Sequence, residues 1–318
     1  MTPERPTPAN PLKLGTRGSP LALAQAQETR DRLTAAWDLA PGACEIVVIA
    51  TTGDNRALIA ADKPLKDLGG KGLFTREIED ALLEGRIDIA IHSMKDMPVA
   101  QPGGLVLDCY LPREDVRDAF VSPVAGAIAD LPQGAVVGSS SLRRRAQLAN
   151  RRPDLRLVEF RGNVQTRMRK LADGVAEATF LAMAGLNRLG LTAVARGPIA
   201  VEDMLPAVAQ GAIGIERRGD DRRAAALLEP IHDAATGRQL AAERAYLARL
   251  DGSCQTPIAG LAVEEGGRLI LRGEILRPDG SEAIADRIEG AAEDGAAMGE
   301  DLARRLLDRA GPGFFDWR

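Results

Sequence analysis

The sequence predicts an α/β protein with two lobes of similar build and a small C-terminal α+β domain, and three observations lead to this prediction. Short apolar runs alternate with stretches of helical spacing along most of the chain. A strand–turn–helix pattern with hydroxyl residues and arginines near its turn occurs around residue 15 and again around residue 140. The 318 residues also suffice for two or three domains that have cores of their own.

The first strand–turn–helix unit places a cation beside a helix N-terminus. Residues 12–17 form the predicted strand, and the helix that follows is capped by Ser19 and opened by Pro20. Arg17 therefore lies at the carboxyl end of a strand, where open α/β sheets bind anionic ligands. A surface arginine without a ligand would fit the same pattern.

Two further segments of the first lobe carry candidate binding groups. The strand predicted at residues 87–92 is followed by the adjacent opposite charges Lys95 and Asp96. Such a pair is either a solvated turn or a site with a cation for binding and a carboxylate for proton transfer. Residues 69–72 place three glycines around Lys71, so the backbone can approach a ligand closely, although no nucleotide-phosphate motif is present.

Two further expectations concern the N-terminal segment and one helix of the first lobe. Residues 1–11 hold four prolines and no apolar run, which indicates a disordered tail and not a signal peptide. The helix predicted at residues 75–84 is expected to turn Ile78, Leu82 and Leu83 towards the core.

The second lobe contains a local excess of arginine. A strand at residues 135–137 leads through a serine-rich turn into a helix at residues 142–148. Residues 137–170 hold ten basic residues against two acidic ones, although the whole chain has a net charge of −4. The planar guanidinium fork suits carboxylates, so a ligand with many carboxylates is expected. A nucleic acid would also match the charge, but aromatic residues make up only 3% of the chain and base stacking would need them.

Cationic residues at matching strand ends of two similar lobes predict a ligand cleft between the lobes, like that of the periplasmic binding proteins. The short apolar run at residues 213–215 is expected to return to the first lobe as a strand. We predict the following segments: residues 12–111 and 212–229 for lobe 1, 117–205 for lobe 2, and 234–318 for the C-terminal domain.

The C-terminal domain presents a cysteine in a loop. Cys254 lies between a helix ending near residue 250 and a strand at residues 258–263, among small and polar neighbours. A core cysteine has apolar neighbours instead, as Cys44 and Cys109 do. From the loop alone, a functional thiol and a solvated bystander are equally good interpretations.

The numbers and positions of cysteine and histidine argue against a disulfide-rich protein and against a metal site. Three cysteines do not form a disulfide framework, which fits a reducing cytoplasm. His92 and His232 are far apart and there is no CxxC, so no metal site is expected. No stretch of the sequence reaches the length of a membrane span.

Six segments, in order along the chain, resemble the porphobilinogen deaminase (hydroxymethylbilane synthase) family. They are GTRGSPLAL at residues 15–23, GGKGLF at 69–74, HSMKDMP at 92–98, SSLRR at 140–144, RGNV at 161–164 and the loop around Cys254. Each match is weak by itself, but six in order are specific. The resemblance extends from about residue 12 into the third domain.

The resemblance implies a transferase of porphyrin and haem biosynthesis. Its covalent dipyrromethane cofactor would be joined to Cys254 through a thioether. On this primer four porphobilinogen molecules would be condensed, each with loss of ammonia, before hydrolysis releases hydroxymethylbilane. The expected protein is a cytoplasmic monomer whose partner is the small-molecule substrate and which binds neither nucleic acid nor membrane.

The resemblance also implies roles for individual residues. Asp96 is the expected catalytic residue: it donates a proton to the leaving nitrogen, stabilises the electron-poor azafulvene that remains, and takes up the proton released when the rings join. The expected cofactor-binding residues are Cys254, Lys95, Ser140, Ser141, Arg143, Arg144 and Arg167. The expected substrate-binding residues are Arg17, Ser19, Lys71, Arg161, Gln210 and Gly211.

The chain departs from the family pattern at Asp67, where a lysine is common, and Arg145 has no role that the family supplies. Two other classes compete with this interpretation. A two-lobed anion-binding protein without catalysis would need no loop thiol. A cysteine hydrolase would need a histidine beside the thiol, and neither His92 nor His232 is a convincing partner.

Overall fold

The computed structural model describes residues 3–52, 75–252 and 256–317. Within these ranges the chain divides into two compact units. The first takes the described residues of Met1–Leu58, Gly69–Glu114 and Ala212–Gly237, and the second takes those of Asp115–Gly211 and Arg238–Arg318.

The strands of the described chain form three sheets, and helices connect most of them. The strands are β1 Leu12–Arg17, β2 Cys44–Ile49, β3 Ile89–Ser93, β4 Leu105–Tyr110, β5 Asp118–Val121, β6 Val136–Gly138, β7 Arg156–Val158, β8 Ala178–Ala182, β9 Gly197–Pro198, β10 Ile213–Arg218, β11 Ile258–Glu265, β12 Arg268–Leu276 and β13 Ala283–Gly290. The α-helices are α1 Pro20–Trp37, α2 Arg76–Leu83, α3 Leu142–Arg151, α4 Val164–Ala172, α5 Met183–Leu189, α6 Arg222–Leu228, α7 Ala234–Arg249 and α8 Gly295–Ala310.

The sheet of the first unit has the order β2-β1-β3-β10-β4. Strand β1 runs parallel to β2 and β3, whereas β10 runs antiparallel to β3 and β4. Leu14, Ile89, Ile213 and Ile215 are fully buried in its core, because alternate side chains of buried strands point into the same layer. The predicted return of residues 213–215 to the first lobe is therefore confirmed.

The second sheet, in the second unit, repeats this arrangement as β7-β6-β8-β5-β9. Strand β6 runs parallel to β7 and β8, and β5 runs antiparallel to β8 and β9. In both sheets the central parallel strand is followed by a capped helix, as the sequence predicts. Several of the predicted site residues lie at or just after the carboxyl ends of these parallel strands, at the edge where open α/β sheets bind ligands. They are Arg17 at the end of β1, Lys95 and Asp96 after β3, and Ser140 and Ser141 after β6.

The third sheet, β11-β12-β13, is an antiparallel meander packed against α8 and also lies in the second unit. Leu271, Leu302 and Leu306 are fully buried between the sheet and the helix. The predicted fold class, two α/β lobes and a small α+β domain, is confirmed. All three sheets fall inside the predicted segments, whose exact boundaries stay predictions, as does the cleft.

Two local predictions are wrong. The described residues 3–11 are not a disordered tail, because Pro6 is buried, Arg5 lies 5.7 Å above the centre of the Trp37 ring, and the Glu4 carbonyl accepts from Arg223 at 3.0 Å. Leu83 is 48% exposed, although Ile78 and Leu82 are fully buried. At 3.6 residues per turn Leu83 lies about 100° around the helix from Leu82, outside the buried face.

None of the described helices is long and apolar enough to cross a membrane.

Candidate active site

A pocket in the first unit lies at the carboxyl ends of β1 and β3. It measures about 430 Å³ including its open mouth, and Arg17, Ser19 and Asp96 all line it. The Ser19 hydroxyl accepts from the Ala22 amide at 3.3 Å and so caps α1, as the sequence predicts. The structure thus brings together three of the predicted site residues from two separate motifs.

Asp96 is held in a short 3₁₀ turn, Met94–Asp96, directly after β3. Met94 and Met97 on either side of the Lys95–Asp96 pair are buried, and the Met94 amide donates to the Ala212 carbonyl at 3.0 Å. Lys95 and Asp96 themselves are half-buried. Because both flanking side chains are fixed in the core, the turn presents the two charged side chains from a stable backbone.

Four further polar residues line this pocket and are absent from the predicted site: Gln25, Thr75, His92 and Ser93. The Gln25 amide donates to the Ser93 hydroxyl at 2.8 Å, and Gln25 is buried although it is polar. A polar side chain on the inward face of α1 is the sequence signal that could have identified it.

His92 lines the pocket and also belongs to a buried cluster with two carboxylates. Its Nε2 lies 3.0 Å from Oε2 of Glu216 on β10, and both side chains are buried. Burial raises the pKa of the nearby Glu79 carboxyl above its ordinary value, and the charge of Glu216 adds to the rise. His92 lies in β3, so the strand predicted at residues 87–92 does reach this residue.

The second unit holds the serine-rich turn and the helix α3. Ser141 caps α3 by accepting from the Arg144 amide at 3.4 Å. The Ser140 hydroxyl accepts from the Phe160 amide at 3.1 Å and ties the turn to the segment after β7. Arg145 donates to the Ser139 carbonyl at 3.3 Å and to Glu159 at 3.0 Å, so its contacts brace the turn.

Arg143 and Arg144 share one buried carboxylate, that of Asp118. The Nη2 atoms of the two arginines lie 2.8 and 2.7 Å from the two oxygens of Asp118. Burial alone would raise the pKa of the Asp118 carboxyl, but the charges of Arg143 and Arg144 outweigh it and hold that pKa well below its usual range. The trio carries two positive charges and one negative charge.

The two guanidinium groups also bond to the backbone. Arg143 donates to the Leu205 carbonyl at 2.8 Å, and Arg144 donates to the Phe180 carbonyl at 2.9 Å. The Nε atoms of both arginines are buried and have no hydrogen-bond partner among the described residues. Buried donors of this kind are uncommon in folded proteins unless a bound water or a ligand completes them.

Two more arginines of the second unit follow β7. Arg161 is buried, and Arg167 on α4 donates to the Gly162 carbonyl at 2.9 Å and to the Phe180 carbonyl at 3.2 Å. Burial, with a further contribution from the charge of Arg144, lowers the pKa of Arg167 to about 10. The group is therefore still charged at neutral pH.

The segment 209–211 supplies Gln210 and Gly211. The Gln210 amide donates to Asp118 at 2.8 Å and to the Val116 carbonyl at 2.8 Å. Gly211 has a φ of +90°, which favours glycine, and its carbonyl accepts from Arg188 at 3.1 Å. Gln210, Arg143 and Arg144 therefore belong to one hydrogen-bond network centred on Asp118. Asp118 is not among the predicted site residues.

Some predicted positions lie outside the described residues, namely Lys71, Cys254 and the divergent Asp67. The other two cysteines are buried, and burial raises the pKa of both thiols, that of Cys109 to about 12. Such thiols are poor nucleophiles, in agreement with their predicted structural role. Among the described residues no group of three or more His, Cys, Asp or Glu side chains could hold a metal ion.

The sequence matches two family descriptions over most of its length. Residues 12–226 match "Porphobilinogen deaminase, dipyromethane cofactor binding domain", and residues 238–308 match "Porphobilinogen deaminase, C-terminal domain". The chain belongs to the porphobilinogen deaminase family. This is an enzyme family of tetrapyrrole biosynthesis whose cofactor is dipyrromethane.

Curated porphobilinogen deaminases are similar to this chain along its whole length. The protein of Paracoccus denitrificans is 70% identical over 99% of both chains. That of Nitrobacter winogradskyi is 54% identical over 95% of this chain and 94% of its own. The chloroplastic porphobilinogen deaminase of Pisum sativum is 51% identical over 96% of this chain and 83% of its own.

Among solved structures, a periplasmic substrate-binding protein from Coxiella burnetii covers 71% of this chain and 93% of its own, with 15% identity and a TM-score of 0.41.

The described residues fit a porphobilinogen deaminase cofactor that carries acetate and propionate side chains. The trio of Arg143, Arg144 and Asp118 has an excess positive charge and two buried Nε donors without partners. Carboxylates are the acceptors that guanidinium groups bind best.

Proposed function

We propose that this chain is a hydroxymethylbilane synthase. It joins four porphobilinogen molecules to a dipyrromethane primer, releases one ammonia per molecule, and then hydrolyses the linear tetrapyrrole from the primer. The observation that carries this proposal is that Asp96 lines the same pocket as Arg17 and Ser19. A carboxylate for proton transfer and a cation for carboxylate binding are the two functions that the reaction needs.

Asp96 performs the proton transfers in this proposal. Its carboxyl group donates a proton to the aminomethyl nitrogen as ammonia leaves, and the resulting carboxylate stabilises the positive charge on the remaining pyrrole. It then takes up the proton released when the two rings join. The buried Met94 and Met97 keep the Asp96 turn in place through these steps, so little reorganisation is needed.

Arginine, lysine and hydroxyl groups bind the carboxylates. In the first unit Arg17 and Ser19 bind the incoming substrate, together with Lys71. Arg161, Gln210 and Gly211 complete the proposed substrate-binding set. Since each pyrrole has an acetate and a propionate, several cations are needed as the chain grows.

A second group of residues holds the cofactor, which supplies the primer to which substrate rings are added. Cys254 anchors it through a thioether in this proposal. Lys95, Arg143, Arg144 and Arg167 neutralise its carboxylates. Ser140 and Ser141 add neutral hydrogen bonds.

We also propose that the enzyme works as a cytoplasmic monomer without nucleic acid or membrane partners. The chain has only three cysteines, and two of them are buried thiols, which fits a reducing compartment. Size-exclusion chromatography with light scattering tests the monomer, for which a mass near 33.8 kDa is expected.

The proposed function is tested by intact mass and by ammonia release. The purified protein should be heavier than the sequence mass by two pyrrole rings, and it should release ammonia when porphobilinogen is added. A protein that binds porphobilinogen without releasing ammonia would instead be a two-lobed binding protein.

A further inference from the structure

Asp118, at the first position of β5, is the residue on which the arginines of the second unit converge. Its side chain is fully buried. One oxygen accepts from Arg143, and the other accepts from both Arg144 and Gln210. The sequence places these partners 25, 26 and 92 residues away, so the cluster exists only in the folded second unit.

The cluster is fixed from several sides. Each arginine donates a second bond to a backbone carbonyl, Arg143 to Leu205 and Arg144 to Phe180. Gln210 likewise donates to the Val116 carbonyl. With two bonds to fixed acceptors, each guanidinium plane has a single orientation, and long flexible side chains become rigid before any ligand arrives.

The bonds to Asp118 do not use all the hydrogen-bond donors of Arg143 and Arg144. A guanidinium has five N–H donors, and the Nε–H of each arginine is buried without a partner among the described residues. Within this trio, two guanidinium groups and one carboxylate leave an excess of one positive charge. The buried Glu274 carboxylate also attracts Arg143, but it is itself ion-paired with Arg151 at 2.9 Å. Burying such charge without a counter-ion is costly, so the cluster is prepared for an external anion.

We propose that Asp118 is a positioning residue for the dipyrromethane cofactor. It holds Arg143 and Arg144 in the orientation in which their remaining donors meet the cofactor carboxylates, although it weakens the positive charge that attracts them. This inference rests on the proposed function, because it takes the anion to be the carboxylates of that cofactor.

Charge counting and positioning give opposite expectations for Asp118→Asn. If charge alone mattered, removing the negative group would leave the two arginines with a larger excess and would speed cofactor acquisition. If Asp118 positions the arginines, an amide cannot accept from both of them in the same way, and acquisition slows. The sign of the change therefore separates the two explanations.

The experiment starts from adduct-free protein, produced in cells that make no porphobilinogen. Porphobilinogen is then added, and the rate of adduct formation is followed by intact mass. We expect Asp118→Asn to form the adduct at least about ten-fold more slowly than the unchanged protein. Glu177→Gln is the control, because Glu177, directly before β8, is a half-buried carboxylate that accepts from the Val136 amide at 2.8 Å.

Melting temperatures separate positioning from a structural role. A structural role alone would lower the melting temperatures of the adduct-free and adduct-bearing forms equally and leave the rate of adduct formation in folded protein unchanged. Positioning reduces the stabilisation that the adduct brings, so the difference between the two melting temperatures should shrink in Asp118→Asn.

If Asp118→Asn does not fold, Asp118→Glu decides, because it keeps the charge and displaces the carboxylate by one methylene. Ten-fold slower adduct formation in that variant supports positioning. Adduct formation at the normal rate or faster, in whichever variant folds, overturns the proposal. Absence of the adduct from the unchanged protein would overturn the proposed function itself, which is a distinguishable result.

Discussion

Arg144 and Arg167 donate hydrogen bonds to one acceptor, the backbone carbonyl oxygen of Phe180, at 2.9 and 3.2 Å. Two like charges are thereby held close together. Asp118 compensates Arg144 directly, whereas the described contacts of Arg167 are to neutral carbonyls. Burial, and to a smaller extent the charge of Arg144, lowers the pKa of Arg167 to about 10, so the charged form of Arg167 is less stable here than in water.

Replacing Arg167 should therefore stabilise the adduct-free protein and impair its function. We expect Arg167→Met to raise the free energy of unfolding at pH 7 by about 1 kcal/mol, because a desolvated charge is removed while two hydrogen bonds are lost. Adduct formation should slow by about ten-fold. Urea unfolding and intact mass are the measurements, and Arg169→Met, on the exposed side of the same helix, is the control. A destabilised Arg167→Met would contradict the electrostatic explanation.

Asp96→Asn should separate catalysis from binding. The amide keeps the size of the side chain but cannot donate an acidic proton, so turnover should fall by ~100- to 10,000-fold. The protein should remain folded and carry the adduct. Single-turnover ammonia release from adduct-bearing protein measures the effect, with the exposed Asp108→Asn as control. A loss of only a few-fold would assign the acid to another residue.

Cys254→Ser should give a folded protein without the pyrrole adduct. Intact mass decides this directly, because the thioether survives denaturation. Cys44→Ala and Cys109→Ala should keep the adduct, since both thiols are buried and their raised pKa values make them poor nucleophiles. The same mass increment in Cys254→Ser would exclude this cysteine as the attachment site.

The buried Glu79 predicts a pH-dependent stability. Its pKa is raised above the ordinary 4.5 in the folded protein, so between 4.5 and the raised value the native state binds more protons than the unfolded state. The free energy of unfolding therefore falls as pH rises through that window. We expect Glu79→Gln to remove this fall and to stabilise the protein at pH 7 by up to about 1 kcal/mol, but not at pH 4.

Urea unfolding of the Glu79→Gln variant at both pH values measures this effect. Asp80→Asn, on the exposed face of the same helix, should show no such difference. Equal effects of Glu79→Gln at pH 4 and pH 7 would mean that the carboxyl group is not desolvated.

Gly162 should tolerate no side chain. Its φ is +120°, and an added Cβ would lie 2.6 Å from the Cβ of Thr166. We expect Gly162→Ala to cost about 2–4 kcal/mol, from backbone strain and overpacking together. Gly174→Ala is the matched control, because its φ is +72° with no atom within 4 Å, and it should cost only about 1 kcal/mol. Thermal unfolding of both variants tests the difference, and equal losses would leave strain alone as the cause.

The sequence predicts the local parts of this structure well. The Ser19 and Ser141 caps and the strand ends that carry Arg17 and Asp96 all depend on short-range patterns of capping and periodicity. The family resemblance supplies the roles of these residues. Their convergence on one pocket follows from the parallel pairing of β1 with β3.

The sequence does not reveal which buried polar side chains bond to each other when the partners lie far apart along the chain. In the sequence, Asp118 is one of several charged residues in the segment 113–118. The antiparallel pairing of β5 with β8 brings it near Arg144. Gln25 and Glu216 are likewise polar residues whose partners lie on other elements. Leu83 is the opposite case: it is an apolar residue predicted to be buried, but it lies at a helix end and is exposed.

The strand β10 has a consequence for synthesis on the ribosome. It lies between β3 and β4 in the first sheet, although it is translated about a hundred residues after β4. Among the described strands β4 pairs with β10 alone, so a nascent chain that ends before residue 213 holds β4 without a neighbour. The second sheet, in contrast, has all its strands once residue 198 has emerged. The second lobe can thus complete its sheet first during translation, while the amino-terminal lobe waits and is the part that a ribosome-associated chaperone would need to shield.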